Sequence, residues 1–295
     1  MTGMIYASTS LSTLPADPSA VLDAWEQACG QSEILGPVLD SRLSAVDQAE
    51  LLPLVRARGY ECLALSHPSR GPWGHPAASL CGGDRDERRT AGQQILDTLQ
   101  RAGTHGVHQV VLAPMALTLS IQPATLRAAF ARGGEVDGVL RQAGEERTAR
   151  AAPALDAVCL VLDSALQQAE GVGCELLLMM PTPWPWQFPN MGEVMRLLQE
   201  FAGAPLSGCF ALDWWHVRRQ LEPDRDVDPP AIQDVAQVRV ADACGLSTRL
   251  PPGIGELTHD APLADSNVPL VLTLGSGLRV GKQEVDAAVA WLRGG

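Results

Sequence analysis

The sequence predicts an α/β fold, a closed (β/α)8 TIM barrel that takes up the whole chain, residues 1–295, as a single domain. Short β-rich runs alternate with longer segments of helical period, and this happens eight times. Several of these runs are almost unbroken apolar stretches, as expected of parallel strands covered on both faces. The main alternative is a doubly wound open sheet, but no run is followed by Gly-x-Gly-x-x-Gly.

The eight strands are expected, in chain order, at 4–9, 33–38, 60–66, 108–114, 174–180, 206–213, 236–242 and 269–274. Apolar residues between them recur at helical spacing and form one buried stripe for each helix. The stripe before the fifth strand contains Leu155, Val158, Leu162, Ala165, Leu166 and Ala169. "TLQRAGTHGVHQVVLAP" and "LQQAEGVGCELLLMM" each pass from a helix through a glycine, which can end the helix, into a strand.

Two stretches fit this alternation less well. Residues 116–152 are too many for a bare loop and predict one or two short helices beside the barrel mouth. Residues 220–234 form a connection rich in proline and aspartate.

Composition narrows the class of protein and of partner. The N-terminus lacks a basic segment followed by an apolar one, and no apolar run reaches the roughly 18 to 20 residues of a membrane span, so we expect a cytoplasmic protein without membrane contact. The net charge of −12 disfavours a nucleic-acid partner, because affinity for phosphates comes mainly from lysine and arginine. The oligomeric state stays open, with a homo-oligomer as one option.

The reactive residue types are sparse. Seven cysteines lie far apart without a Cys-x-x-Cys motif, which indicates buried free thiols rather than disulfides or a zinc site. Lys282 is the only lysine, so Schiff-base chemistry is disfavoured.

Catalytic residues of such a barrel lie at the C-terminal ends of its strands. The candidates there are His67 after strand three, Asp213 and His216 at strand six, and Arg239 in strand seven. Asp213 and His216 form either part of a site or a buried structural pair. An inward-facing Arg239 needs a partner. This is either Asp213 or Asp242, in an ion pair, or an anionic ligand that accepts hydrogen bonds from the planar guanidinium.

Other residues are candidates for substrate contacts. Trp184 and Trp186, in the proline-rich loop "PTPWPWQFPN", suit stacking against a sugar, or else pack against the barrel rim. Asp242 ends strand seven, and Ser276 lies in "LGSGLR", whose backbone N–H groups suit a phosphate.

The order of several motifs resembles the xylose-isomerase-like barrels, which include sugar phosphate isomerases and epimerases and, more distantly, endonuclease IV. "GDRDERRTAGQQILDTLQRAGTHGVHQVVLAP" is similar to the family's acidic helix before strand four, and "FALDWWH" to its strand-six Asp-x-x-His. "VRVAD" resembles the strand-seven His-x-x-Asp, and "PPGIGEL" the turn that follows. The resemblance extends from about residue 20 to about residue 293.

The resemblance also implies a metal site, which this sequence largely lacks. The family's four ligands fall on Met179 or Met180, Asp213, Arg239, and Leu274 or Gly275. A thioether or an alkyl chain does not hold a hard cation, and a guanidinium repels one. We therefore expect neither metal nor other cofactor. The metal ligands of endonuclease IV have only three counterparts in this sequence, His67, Asp213 and His216.

Three functions follow as hypotheses. The first is a divergent isomerase or epimerase that acts without metal on a small sugar, polyol or hydroxy acid, through Asp213, His216, His67 and Arg239. The second is a non-catalytic barrel that binds a ligand or a partner at the same mouth. DNA repair of the endonuclease IV type ranks third.

Overall fold

The structure is a computed structural model. It describes residues 4–11, 17–30, 32–68, 78–82, 84–117, 119–121, 123–132, 136–180, 184–221, 235–257, 267–275 and 280–294. Ser276 and most of the connection at 220–234 lie outside these residues.

Eight parallel strands close into a barrel in which every strand pairs with the next in sequence and the last pairs with the first. They are β1 (Ile5–Ser8), β2 (Pro37–Leu39), β3 (Ala64–Ser66), β4 (Gln109–Leu112), β5 (Glu175–Met180), β6 (Leu206–Ala211), β7 (Gln237–Val240) and β8 (Leu270–Leu272). The pairing of Ile5 with Leu270 closes the ring. The predicted (β/α)8 barrel and its eight strands are confirmed.

Helices surround the barrel. They are α1 (Pro18–Cys29), α2 (Ala45–Ala57), α3 (Arg85–Thr104), α4 (Pro123–Ala131), α5 (Val136–Val172), α6 (Met191–Glu200), α7 (Leu212–Leu221) and α8 (Lys282–Leu292). Side-chain caps begin several of them: Ser44 and Asp47 form a capping box on α2, and Asn190 and Glu193 form another on α6. No helix in the described part of the chain is long and apolar enough to cross a membrane.

Most strands are shorter than predicted, and two differences affect the account of the site. Residues 116–152 contain α4 and the start of α5, a helix of 37 residues that continues through Pro153, rather than only short helices. Strong helix formers on both sides of Pro153 offset the backbone hydrogen bond that a proline removes. Strand six ends at Ala211, its last residue paired with β7, so Asp213 lies in the first turn of α7.

Two short antiparallel pairs lie outside the barrel. Met115–Ala116 pairs with Gln187–Phe188 beyond strands β4 and β5. Asp242–Cys244 and Ser247–Leu250 form a hairpin directly after β7, which we call the rim hairpin. The rim hairpin packs against α7 and so contributes to the C-terminal face of the barrel.

The barrel interior is apolar in its middle and polar toward the C-terminal ends of the strands. Its middle is filled by one cluster of side chains: Tyr6, Val38, Ala64, Val111, Leu177, Met179, Cys209 and Val271. Buried polar side chains gather at and beyond the C-terminal ends of the strands: Ser8, Asp40, Ser66, Asp213, Arg239 and Thr273. Buried polar groups need partners, so this end of the barrel is where a ligand site belongs.

Candidate functional site

Arg239 is the central cation of the barrel mouth. Its side chain is 4% exposed, and its Nη2 donates a hydrogen bond to Ser66 Oγ at 3.0 Å. Its Nε is buried and has no hydrogen-bond partner among the described residues. The guanidinium also lies near the Cys209 thiol, whose pKa is raised by burial and lowered in part by Arg239.

The expected ion pair of Arg239 with Asp213 or Asp242 is wrong. Within the described ranges, Arg239 makes no ion pair with any carboxylate. Both aspartates instead accept bonds from backbone N–H groups near the rim hairpin. The second alternative, an anionic ligand on Arg239, therefore stays open.

Asp213 is buried at the start of α7. Its Oδ2 accepts a hydrogen bond from the backbone N–H of Arg249 at 3.1 Å. Burial raises the pKa of Asp213 to about 7, although the Arg249 N–H and the positive charge of Arg249 oppose the shift. At neutral pH this carboxyl group can therefore give or take a proton, which suits general acid–base chemistry.

Asp242 has a structural position. It accepts hydrogen bonds from the backbone N–H groups of Ala243, Gly253, Gly255 and Leu257 at 2.7 to 3.0 Å. Gly255 must be a glycine here, because a Cβ would come within 2.4 Å of the carboxylate. Three of these bonds fix the turn "PPGIGEL", and together the four occupy both carboxylate oxygens, so Asp242 has no free acceptor for the predicted substrate contact.

His216 does not pair with Asp213, so the interpretation of the two as one buried pair is wrong. Although both lie on α7, His216 Nε2 is 2.9 Å from Glu256 Oε2 at the outer side of the rim hairpin. Glu256 Oε1 also accepts a bond from the Cys244 thiol at 3.4 Å, and the contacts with His216 and Cys244 lower the pKa of Glu256. His216 thus belongs to a cluster at the rim.

His67 faces away from the barrel interior. Its Nδ1 lies 3.2 Å from Thr98 Oγ1 on α3, and burial, with the charge of Arg101 in support, lowers its pKa to about 4. The ring is therefore neutral at physiological pH. It lines a cavity of about 360 Å³ between α3 and the ends of β3 and β4, whose walls include Leu80, Ile95 and Leu112.

Trp184 and Trp186 contact each other. Their rings stack with centroids 5.3 Å apart and planes 7° from parallel. Both are half-buried and pack against an apolar cluster that contains Leu126, Val217 and Leu221. This arrangement favours the interpretation that the two tryptophans pack on the barrel rim.

Three residues at the mouth were missed by the sequence interpretation. Asp40 follows β2, is 2% exposed and accepts bonds from the backbone N–H and from Nε of Arg42, at 3.0 and 2.8 Å. Burial would raise the pKa of Asp40, but Arg42 and Arg249 together lower it. Val38 faces the barrel interior, so strand alternation would have placed Asp40 on the same side. The sequence around Arg249 contains no comparable pattern that would place it at the mouth.

The donor set does not fit a hard divalent cation. No group of three or more His, Cys, Asp or Glu side chains that suits a metal occurs in the parts of the chain described. Met179 lies in the barrel interior, and Gly275 packs against Arg249, where a Cβ would meet the Arg249 carbonyl oxygen at 3.2 Å. Asp213 is thus left without the carboxylates that share such an ion in the resembling family.

Comparison with known proteins identifies the fold. No protein-family model matches this sequence, and no curated protein matches it either. Similar solved structures include 3-keto-D-glucoside 4-epimerase from E. coli, at 14% identity and a TM-score of 0.62 over 99% of this chain and 100% of that one. D-psicose 3-epimerase from Clostridium cellulolyticum has 14% identity and a TM-score of 0.61 over 99% and 98%.

A third similar structure is that of the IolI protein with a zinc atom bound, at 13% identity and a TM-score of 0.61 over 100% of this chain and 96% of that one. The chain therefore has the (β/α)8 TIM barrel fold of these structures, and its structural neighbours include sugar epimerases.

Proposed function

We propose that this protein is a divergent member of the sugar isomerase and epimerase type that holds a small polar ligand at the barrel mouth without a divalent metal. The ligand is a sugar, polyol or hydroxy-acid derivative that carries a negative charge. The observation that carries this proposal is the buried Arg239 guanidinium, whose Nε lacks a partner among the described residues.

A buried charge without a counter-charge is costly in free energy, and proteins rarely keep one unless a ligand supplies the opposite charge. Arg239 occupies the position where the resembling family has a metal-binding histidine. The bond to Ser66 and the contact with the Cys209 thiol orient the guanidinium, and they do not use all of its N–H donors. A guanidinium recognises carboxylates and phosphates through a planar fork of donors, which supports an anionic ligand.

The local charge balance also supports an anion. Arg42 and Arg249 act on Asp40, Arg249 also acts on Asp213, and burial raises the pKa of Asp213 to about 7. When Asp213 is protonated, the three arginines Arg42, Arg239 and Arg249 outnumber the other two buried carboxyl groups at this face, Asp40 and Asp242, whereas the whole chain carries a net charge of −12. Such a local field favours negative ligands over neutral ones.

Isomerase or epimerase chemistry moves a proton next to a carbonyl group. Asp213 is the group at the mouth that can carry that proton near neutral pH, and Arg239 is the cation that can stabilise the negative charge formed on oxygen. The alternative, a barrel that binds its ligand without turnover, is favoured by the positions of His67 and His216, neither of which shares the Arg239 site.

The test is calorimetric titration of the purified protein with D-gluconate, a sugar acid with one carboxylate. We expect Arg239→Met to weaken D-gluconate binding by ~10-fold or more, as for a lost charged hydrogen bond. Arg58→Gln is the matched control, because Arg58 is a surface arginine paired with Asp23 and Glu26 far from the mouth. Equal affinity of both variants for D-gluconate would contradict the proposal, as would failure of the wild type to bind.

Catalysis is tested separately by NMR, as the exchange of carbon-bound hydrogen of keto sugar acids with D₂O. Exchange that is lost in Asp213→Asn supports an enzyme. Binding without exchange supports the non-catalytic barrel.

A further inference from the structure

We propose that the mouth has a second anion subsite at Arg42, so that its ligand carries negative groups at two positions, as an aldaric acid or a phosphorylated sugar acid does. This inference rests on the proposed function, because it presupposes that the first negative group lies at Arg239.

Arg42 is held in place on the C-terminal face of the barrel. It lies in the connection between β2 and α2, and its Nε donates to Asp40 Oδ1 at 2.8 Å. Its side chain is 21% exposed, yet its Nη2 is buried and has no hydrogen-bond partner within the described residues. The ion pair through Nε fixes the plane of the guanidinium, and Nη2 is left as a buried donor without a partner among the described residues.

The two unpartnered arginine nitrogens belong to one mouth. The register of β2 against β3 pairs Val38 with Ala64 and Leu39 with Leu65, so Asp40 lies beside Ser66. Ser66 is the residue that accepts the bond from Arg239. Arg42 is thus bonded to the residue that follows β2, and Arg239, which reaches across the barrel from β7, is bonded to the last residue of the neighbouring strand β3.

A single anionic group is a poor occupant for both arginines. Asp40 is bonded to Arg42, and the strand register places it beside Ser66, to which Arg239 is bonded. Asp40 stays ionised because Arg42 and Arg249 lower its pKa more than burial raises it. A negative ligand group would be repelled from the position next to Asp40, whereas hydroxyl groups there can donate to it. This pattern fits a polyol chain with an anionic group at each end.

The experiment compares three probes by calorimetric titration: D-gluconate, with one carboxylate, D-glucarate, with two, and 6-phospho-D-gluconate, with a carboxylate and a phosphate. We expect at least one doubly charged probe to bind the wild-type protein ~10-fold more tightly than D-gluconate, the gain of one charged hydrogen bond. In Arg42→Gln the preference for that probe should fall to about onefold.

Removing Arg42 alone leaves Asp40 without its cation, which can impair folding. The double variant Asp40→Asn/Arg42→Gln removes the pair together and should show the same loss of preference. Arg58→Gln should keep the wild-type preference.

Doubly charged probes that bind no more tightly than D-gluconate overturn the inference and leave the proposed function intact. The same holds for a preference that persists in both Arg42 variants. If D-gluconate itself does not bind, the proposed function fails and this inference fails with it.

Discussion

The backbone N–H of Arg249 donates a hydrogen bond to Asp213 Oδ2 at 3.1 Å, and this bond holds the rim hairpin against the start of α7. Arg249 has a φ of 62°, in the left-handed region that a non-glycine residue rarely adopts, and its carbonyl oxygen accepts a bond from the Gly275 N–H at 2.8 Å. The conformation costs about 1 to 2 kcal/mol, so these contacts have to stabilise it. They bring the Arg249 charge near both Asp213 and Asp40.

Asp213→Asn is expected to change how stability depends on pH. Burial raises the folded-state pKa of Asp213 to about 7, from a value near 4 in the unfolded chain. Its contribution to folding is therefore fully present below about pH 4 and is lost as pH rises to about 7, by up to a few kcal/mol. Urea denaturation should show the wild type losing stability relative to the variant over this window. Parallel pH profiles would contradict a raised pKa.

His67→Gln is expected to make the fold less sensitive to mild acid. The folded-state pKa of His67 is lowered from 6.5 to about 4. The neutral ring stabilises the fold above about pH 6.5, and that contribution disappears as pH falls toward about 4, since the unfolded chain then binds the proton first. The exposed His108 provides the matched control His108→Gln. The idea fails if both variants follow the acid profile of the wild type.

Arg239→Met is expected to leave the ligand-free protein as stable as the wild type, or more so. The substitution removes a buried charge that has no ion pair among the described residues, and it costs the bond to Ser66 and the contact with the Cys209 thiol. Had Arg239 closed an ion pair with a buried aspartate, the loss would be about 3 to 5 kcal/mol. Thermal denaturation without ligand separates the two cases. A loss of stability of that size would show that an unrecognised carboxylate pairs with Arg239.

Asp242→Ala is expected to destabilise the protein by about 3 to 5 kcal/mol, since several backbone N–H groups lose their acceptor in a buried position. Asp242→Asn keeps the shape but lacks the charge, so its loss should be smaller. Chemical denaturation of both variants gives the comparison. If Asp242→Ala left the stability unchanged, the turn "PPGIGEL" would not depend on this carboxylate.

The sequence predicted the barrel well because its signal is local. Each strand is a compact apolar run and each helix a periodic stripe, and the sequential closure of the barrel follows from their alternation. The long helix α5 was divided wrongly: its first part was predicted as a short helix within residues 116–152, and the stripe that begins at Leu155 as a separate helix.

The site was predicted only in part, because its contacts join residues far apart in the chain. The bond between Arg239 and Ser66 forms across the closed barrel, and alternation along one strand gives no indication of it. Asp40 was not among the predicted site residues, because the predicted strand ended at residue 38, whereas β2 ends at Leu39 and Asp40 follows it directly. Arg249 depends on the path of the rim hairpin, and no glycine marks its left-handed conformation.

The most direct test of a metal-free, arginine-centred mouth is a crystal structure of the protein grown with D-gluconate and Mn²⁺, with anomalous diffraction recorded for manganese. The account predicts carboxylate oxygens of D-gluconate within about 3 Å of Arg239 Nε and no manganese peak beside Asp213. A manganese ion bound by Asp213, or a protein carboxylate in contact with Arg239 Nε in place of the ligand, would contradict it.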